Sequence, residues 1–405
     1  MPALLIVGAG PEQLPILRVA RGLGLHVVVT DRDPNAIGRP LADEFHEVST
    51  DDKEGNLERA AALGVDGVTT FCSETAVPVV AHVCERLGLP GMSERTAWLA
   101  TDKLAMKAAF REAGVPSTPF VAVEDLAGLR AFARRQGLPV VVKPAVNSGA
   151  RGVTLVGEAG ALASAYDDAV AHAHGAGVIA EGFAPGPEIT VSAVVEGGEP
   201  RFLEVVERVC TPAPYFGICV EHRAPAGVPE ATRREFLEVA RRAVAVTEME
   251  QGVASVQAIA TPSGPSVVEV AARAMGGALR DLVMLRCGVD LAEVTVRQAL
   301  GPEAVPERPA LPTYPAVSIR FLTELDWPGL AGTVVTWTGL DEALAMPGVT
   351  YAELRLRPGD PVPVLTNTTG RFGAAVAVGD DREQASARSL AALRRIRPAG
   401  AEVPR

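Results

Sequence analysis

The sequence predicts a mixed chain of α/β and α+β parts: an N-terminal parallel α/β domain over residues 1–92, a linker helix over 93–114, a central α+β region, and a small C-terminal α+β lobe over 316–405. Three observations carry this. Apolar strand runs alternate with helical spacing up to about residue 92; a lysine precedes a glycine loop between two apolar runs in the centre; and five prolines (302, 306, 309, 312 and 315) separate that centre from a final set of strands and one helix.

Each element has its own signal. Leu4-Leu5-Ile6-Val7 is a buried-strand run, "GAGPEQ" at 8–13 opens a helix through Leu14, Leu17 and Val19, and "HVVVTD" is the next strand. "GVTTFC" is a further strand, followed by a helix around Val79, Val80, Val83 and Leu87. Ser93 is placed to cap the linker helix, and Gly114 with Pro116 to stop it. The centre holds the strand–turn–strand "VIAEGFAPGPEITVSAVVE", a helix over about 229–247, and two strands, "SVQAIA" and "SVVEVA", around a turn at Thr261–Gly264. After the prolines, "AVSIRFL", "TVVTW", "YAELRL" and "GAAVAV" read as strands, and 381–396 as an amphipathic helix.

Bulk properties narrow the function. A chain of 405 residues, 48% apolar and 21% charged, is expected to form two or three globular units. No apolar run approaches the ~20 residues of a membrane helix, and the N-terminus lacks the pattern of a secretory signal, so the cytoplasm is the expected location. The net charge of −11 opposes non-specific binding to nucleic acid or an anionic membrane. Cys72, Cys84, Cys210, Cys219 and Cys287 are scattered without zinc-ligand spacing and are expected as reduced thiols, mostly in the core. His172 and His174 read as a solvated helix end, and His82 with Cys84 as core and surface positions.

The chemistry concentrates in four stretches. In "VVVKPAVNSGARGVTLV", Lys143 precedes Ser148, Gly149, Arg151 and Gly152, the reverse of a Walker loop; amides of such a loop can converge on an anion, or the stretch is a plain hairpin. "IAEGFAPGPEI" crosses between strands at Glu181, Gly182 and Phe183, where exposed backbone can meet a purine edge and Glu188 ribose hydroxyls; a solvated turn is the other reading. "SVVEVAARAMGG" sets Glu269 in an apolar strand, which requires an ion pair with Arg273 or a metal, and Gln257 on the preceding strand would face it. "GAGPEQ" with Asp31 near the end of the second strand is similar to a dinucleotide fingerprint, with Gln13 replacing its third glycine.

Taken in order, "GAGPEQ", "TDKLAMKAAFREAGVPSTPF", "VVVKPAVNSGARGV", "IAEGFAPGPEITV" and "VVEVAARAMGG" resemble the ATP-grasp superfamily, and the C-terminal "RPGDPVPVLTNTTGRFGAAVAVGDD" is similar to its terminal lobe. The resemblance implies a pre-ATP-grasp domain at 1–92, a two-lobed ATP-grasp domain with its small lobe at 115–184 and its large lobe at 185–315, and ATP with Mg²⁺ (Mn²⁺ as the alternative ion) as cofactors. It implies Lys103 and Lys143 on phosphates under the loop Ser148–Gly152, backbone of Glu181–Phe183 on adenine, Glu188 on ribose, Gln257 and Glu269 on the metal, and Arg273 on the acyl phosphate. Ala271 and Gln257 stand where many members have asparagine and glutamate, which leaves a second magnesium held less by protein.

The "EVAAR" form followed by Gly276-Gly277 is nearer the amino-acid ligases than the bicarbonate-using carboxylases. The implied reaction joins a small-molecule carboxylate to an amine, with a homodimer among the assemblies it allows. A bicarbonate-using carboxylase, an NAD-dependent oxidoreductase resting on "GAGPEQ" and a non-catalytic nucleotide module are the alternatives. His222 and Arg223 are candidates for a substrate carboxylate, or else surface residues, and Glu204 to Arg208, Tyr215 to Arg223 and Arg273 to Gly277, including Gly276 and Gly277, are candidate pocket walls.

Overall fold

The structure, a computed structural model, describes residues 1–301 and 312–400. The first sheet contains β1 (Ala3–Val7), β2 (His26–Asp31), β3 (Glu44–Glu47) and β4 (Gly67–Thr69), all parallel in the order β3-β2-β1-β4. Successive side chains of β1 point to opposite faces. Leu4 and Ile6 pack with Ile16 and Leu17 of the helix Leu14–Gly22, whereas Leu5 and Val7 pack with Val79, Val80 and Val83 of the helix Val77–Leu87.

The second sheet is antiparallel, with β5 (Phe120–Val123), β6 (Val140–Pro144), β7 (Thr154–Val156) and β8 (Val178–Gly182) in the order β5-β8-β6-β7. Leu129 and Phe132 of one helix and Leu162, Ala165 and Ala169 of another cover its apolar face.

The third sheet is the largest. Its strands are β9 (Glu188–Glu196), β10 (Glu199–Cys210), β11 (Cys219–Ala224), β12 (Gln251–Thr261), β13 (Gly264–Ala271) and β14 (Ala316–Leu322). After β15 (Trp337–Thr338), it is completed by β16 (Val349–Leu354) and β17 (Gly373–Gly379), in the order β13-β12-β9-β10-β11-β14-β17-β16. β15 pairs instead with β18 (Arg397–Pro398). The C-terminal strands therefore extend the same sheet, His222 of β11 facing Ile319 of β14. The strand–turn–strand around Glu181 joins two sheets: β8 belongs to the second and β9 to the third.

Two local expectations change. The linker over 93–114 is two helices, Glu94–Thr101 and Lys103–Glu112, because Asp102 caps the second by accepting from the amides of Leu104 and Ala105 at 2.8 and 2.9 Å. Ser93 caps the first, as its sequence position predicts. "TVVTW" is mostly irregular, with only Trp337 and Thr338 in a two-residue strand and Val334 in an isolated bridge to Pro361. Pro302, Pro306 and Pro309 lie outside the described residues. No helix among the described residues is long and apolar enough to cross a membrane.

The first domain is fixed to the rest through the helix Leu291–Leu300, whose Leu291, Val296 and Ala299 share a core with Ile16, Leu17 and Val253. Its backbone comes so close to β4 that a Cβ on Gly67 would collide with the carbonyl oxygen of Ala299. Gly67→Ala should therefore lower stability by about 2 kcal/mol, the usual scale of overpacking. Thermal denaturation followed by circular dichroism measures this, and an unchanged midpoint would contradict the close approach.

Candidate active site

A cavity of about 630 Å³ opens where the three sheets meet, lined from Glu12 near the N-terminus to Arg371 near the C-terminus. At its centre, Glu181 is buried between two lysines. Its Oε1 lies 2.7 Å from Lys143 Nζ and its Oε2 3.1 Å from Lys107 Nζ, while Thr118 Oγ1 donates to Oε2 at 2.8 Å. Burial opposes the carboxylate's charge, but Lys107 and Lys143 overcome it and hold Glu181 down at about 2. Burial pushes Lys107 downward, against the pull of Glu181, and its ammonium also donates to the Val267 carbonyl at 3.3 Å. Lys103 lies one helical turn earlier on the same face, its backbone amide on Ala145 O and its ammonium on Asn147 O at 2.7 Å.

Gln257 and Glu269 are direct cross-strand partners on β12 and β13, as the sequence predicts. Gln257 donates its amide nitrogen to Met275 Sδ at 3.5 Å, which leaves the amide oxygen for another partner. Glu269 has Lys103 at 3.9 Å; burial opposes its charge, yet Lys103, Lys143, Arg273 and Arg208 keep its carboxyl below the ordinary range. One carboxylate and one amide oxygen fit a hard cation that completes its shell with phosphate and water. Among the described residues no group of three or more His, Cys, Asp or Glu side chains could hold a metal. Arg273 pairs with Glu74 of the first domain, its Nε 2.6 Å from Oε2, and not with Glu269.

The glycine loop is held at both ends and turned by left-handed residues. Gly149, Ala150 and Gly152 have φ of 70°, 61° and 68°. Asn147 donates to His172 O at 2.8 Å and accepts from Ser148 N and Arg151 Nε, and a Cβ on Gly152 would press on His172. The strand, loop, strand order predicted around Lys143 is the one observed. His172 thus supports the loop from the end of its helix.

The other predicted residues are distributed unevenly. Glu188 lines the cavity, accepts from Cys210 Sγ at 3.3 Å and lies 3.7 Å from Arg208 Nη1. Gly182 is tied into the second sheet, its amide donating to Pro119 O, so of the backbone expected on adenine Phe183 is the part beyond the ladder. His222 is buried in the cavity wall, edge-on to Phe321 at 5.8 Å, and is not a surface residue. Arg223 is turned away: alternation along β11 directs it to the opposite face, where its Nη2 donates to Glu221 at 2.8 Å. Gly276 and Gly277 line the cavity, and Gly277 N donates to Glu12 Oε2 at 3.2 Å. All five cysteines are free; burial pushes the Cys72 thiol, which lines the cavity, far up, which favours the protonated form over a thiolate.

"GAGPEQ" is closed on itself. Asp31 accepts from Ala9 N at 2.8 Å, and Gln13 accepts from Gly10 N and donates to Phe71 O. The groups that a dinucleotide fingerprint needs for pyrophosphate and ribose are thus already bonded within the domain. What the motif delivers to the cavity is Glu12.

Residues 102–304, half of the chain, match the family model described as carbamoyl-phosphate synthase L chain, ATP binding domain, and residues 17–91 match the ATP-grasp N-terminal domain. The chain belongs to the ATP-grasp family. Residues 327–399 match L-amino acid ligase C-terminal domain 2. Relatives include an uncharacterized protein, y4rH, of Sinorhizobium fredii, 28% identical over 91% of this chain and 77% of that one. A formate-dependent phosphoribosylglycinamide formyltransferase of Rhodococcus jostii is 26% identical over 98% and 95%. In fold, the chain is similar to an L-amino acid ligase from Bacillus licheniformis, with a TM-score of 0.84 and 21% identity over 99% of both chains.

For this ATP-grasp chain, sequence reasoning missed Lys107, Thr118, Glu12, Glu74 and Arg371, which line the cavity or hold a residue that does, whereas Arg208 lines it as the end of a predicted wall. The i, i+4 spacing of Lys103 and Lys107 is the one available signal among them. The Glu181 cluster gives a test. Because its folded pKa lies below the ordinary 4.5, Glu181 stabilises the fold fully above that value and progressively less as pH falls toward about 2. Glu181→Gln should cost about 3 kcal/mol at neutral pH, since it leaves Lys107 buried beside a neutral amide. The gap from wild type should narrow between pH 4.5 and 2 in denaturant titrations; a gap independent of pH would contradict the ion cluster.

Proposed function

We propose that the protein is an ADP-forming carboxylate–amine ligase that uses an amino acid as at least one substrate. The observation that supports this best is the convergence on one cavity of Lys103 and Lys143, the Gln257–Glu269 pair, and Arg273 oriented by Glu74. A carboxylate is a poor electrophile, and transfer of the γ-phosphoryl group of ATP to its oxygen gives an acyl phosphate that an amine can displace, with loss of phosphate. Little covalent chemistry falls to the protein; positioning and charge neutralisation carry the rate.

In this reading, Lys103 and Lys143 hold the phosphates, and Arg273, charged and pinned by Glu74, meets the oxygens of the acyl phosphate. The loop Ser148–Gly152 covers the phosphates and excludes water that would hydrolyse the intermediate. Phe183 backbone lies against adenine and Glu188 toward ribose. Gln257 and Glu269 would hold Mg²⁺, which would supply charge neutralisation at the transferred phosphoryl group. At the far end, Glu12 offers a carboxylate to an ammonium group, and the match to the L-amino acid ligase C-terminal domain supports an amino acid there.

Purified protein with Mg·ATP should release phosphate when given mixtures of amino acids and small carboxylic acids, with an amide of the combined mass in the products. Lys143→Met should cut that rate on the order of 10²-fold or more while the circular-dichroism spectrum is kept. Wild-type rates in the variant, or phosphate release that needs bicarbonate and no amine, would contradict the reading.

A further inference from the structure

Arg371 and the loop residue Arg151, which bonds only Asn147 and Ser148, stand apart from the other arginines of the cavity. Arg208, Arg273 and Arg355 each have a carboxylate at ion-pair distance: Glu188, Glu74 and Glu353. Among the described residues Arg371 has none. Its Nε donates to Thr368 O at 3.1 Å, its Nη1 to Cys219 O at 3.4 Å, and its guanidinium lies over the Phe321 ring at 4.1 Å. Two carbonyls and a ring face fix the direction of the group without neutralising it. Burial works against its charge; Cys219 and then Glu12 oppose that from nearby, and Glu12 is itself 3.6 Å from Arg355. The guanidinium is directed at Gly277, where a Cβ would come within 3.3 Å of Nη1.

The same residue is attached to the glycine loop. The carbonyl that receives Arg371 Nε belongs to Thr368, whose own amide donates to Gly149 O at 3.0 Å. A Cβ on Gly149 would lie 2.6 Å from Thr368 Oγ1, so the two backbones can meet only because that residue is glycine. Thr368–Gly370 is a single short turn, capped by Asn367 onto Thr369 N. One turn thus touches the glycine loop at one end and carries a cation without a carboxylate partner into the cavity at the other.

We propose that Arg371 receives an unreacted carboxylate of the substrate and, through Thr368, couples the arrival of that substrate to closure of the glycine loop over the nucleotide. An anion at the guanidinium lowers the cost of its burial and fixes the Thr368 turn. The turn then holds Gly149, and the lid shuts over ATP once substrate is present. Linkage makes the effect mutual: substrate tightens nucleotide binding by the factor by which nucleotide tightens substrate binding. A carboxylate fits better than a phosphate, since beside Gly277 a dianion would meet only the Arg371 guanidinium, with Glu12 nearby and Arg355 already paired to Glu353. Arg371 acts as a specificity residue and Thr368 as a positioning residue. The proposal rests on the ligase reading for the substrate's identity and on the geometry for the coupling.

Thr368→Pro isolates the coupling. Thr368 is the first residue of its turn, where proline fits, and the extended backbone of Asn367 (φ −163°, ψ −174°) avoids the helical region that proline disfavours. The variant therefore loses the amide that holds Gly149 together with the Thr368 hydroxyl, and Thr368→Val serves as the control that removes the hydroxyl alone. The affinity of Mg·AMP-PNP is measured by calorimetry with and without a mixture of the standard L-amino acids, and with ribose 5-phosphate instead. Wild type should bind about tenfold more tightly with the amino acids. Thr368→Pro and Arg371→Met should bind AMP-PNP without that gain, and Arg371→Lys should recover part of it. In turnover, Thr368→Pro should release more phosphate per amide formed, because the intermediate meets water. No gain in wild type, an undiminished gain in Thr368→Pro, or a gain with ribose 5-phosphate alone would each overturn the proposal. Whether phosphate is released at all then decides the ligase reading separately.

Discussion

The buried carboxylate of Glu181 is the constraint on which the arrangement of the second and third sheets around the cavity depends. A charge removed from water must be met by opposite charge and hydrogen bonds, and here those come from three places. Lys143 belongs to the adjacent strand, Thr118 to the segment entering the second sheet, and Lys107 to the linker, whose ammonium also reaches the carbonyl of Val267 in the third sheet. The cluster therefore fixes the small lobe, the linker and the large sheet relative to one another. It also fixes Lys103, which shares a helix face with Lys107.

That constraint creates an excess of positive charge where phosphates would lie. Lys103, Lys107 and Lys143 face Glu181 and Glu269, one cation more than the anions, and Arg273 adds a guanidinium whose charge Glu74 balances. A polyanion with its cation restores the balance. The first domain, which reads in isolation as a dinucleotide fold, takes part differently: its loop is internally bonded, and it sends Glu12 and Glu74 across to the substrate end. A complete site needs residues from every part of the chain.

Much of this was legible in the sequence because the chemistry left local marks. Lys143 before a glycine loop, Glu269 inside an apolar strand and Gln257 opposite it across a short turn are each readable within about a dozen residues, and the structure keeps all three where that spacing puts them. Strands with apolar runs were legible for the same reason. The polar β3, "EFHE", and the weakly amphipathic helix Lys53–Leu63 carry no such run. Glu74 and Arg371 had no local mark, since their roles arise from contacts between residues 199 and 152 positions apart. Arg223 failed for a simpler reason: in a strand, the neighbour of a cavity residue points the other way.

The acyl phosphate is the central claim, and oxygen transfer tests it most directly. With a carboxylate substrate labelled with ¹⁸O in both oxygens, attack on the γ-phosphoryl group followed by displacement by the amine leaves one carboxylate oxygen on the released phosphate. Mass spectrometry should find one ¹⁸O atom per phosphate, with ADP as the nucleotide product. Unlabelled phosphate, or label recovered in AMP with release of pyrophosphate, would contradict it.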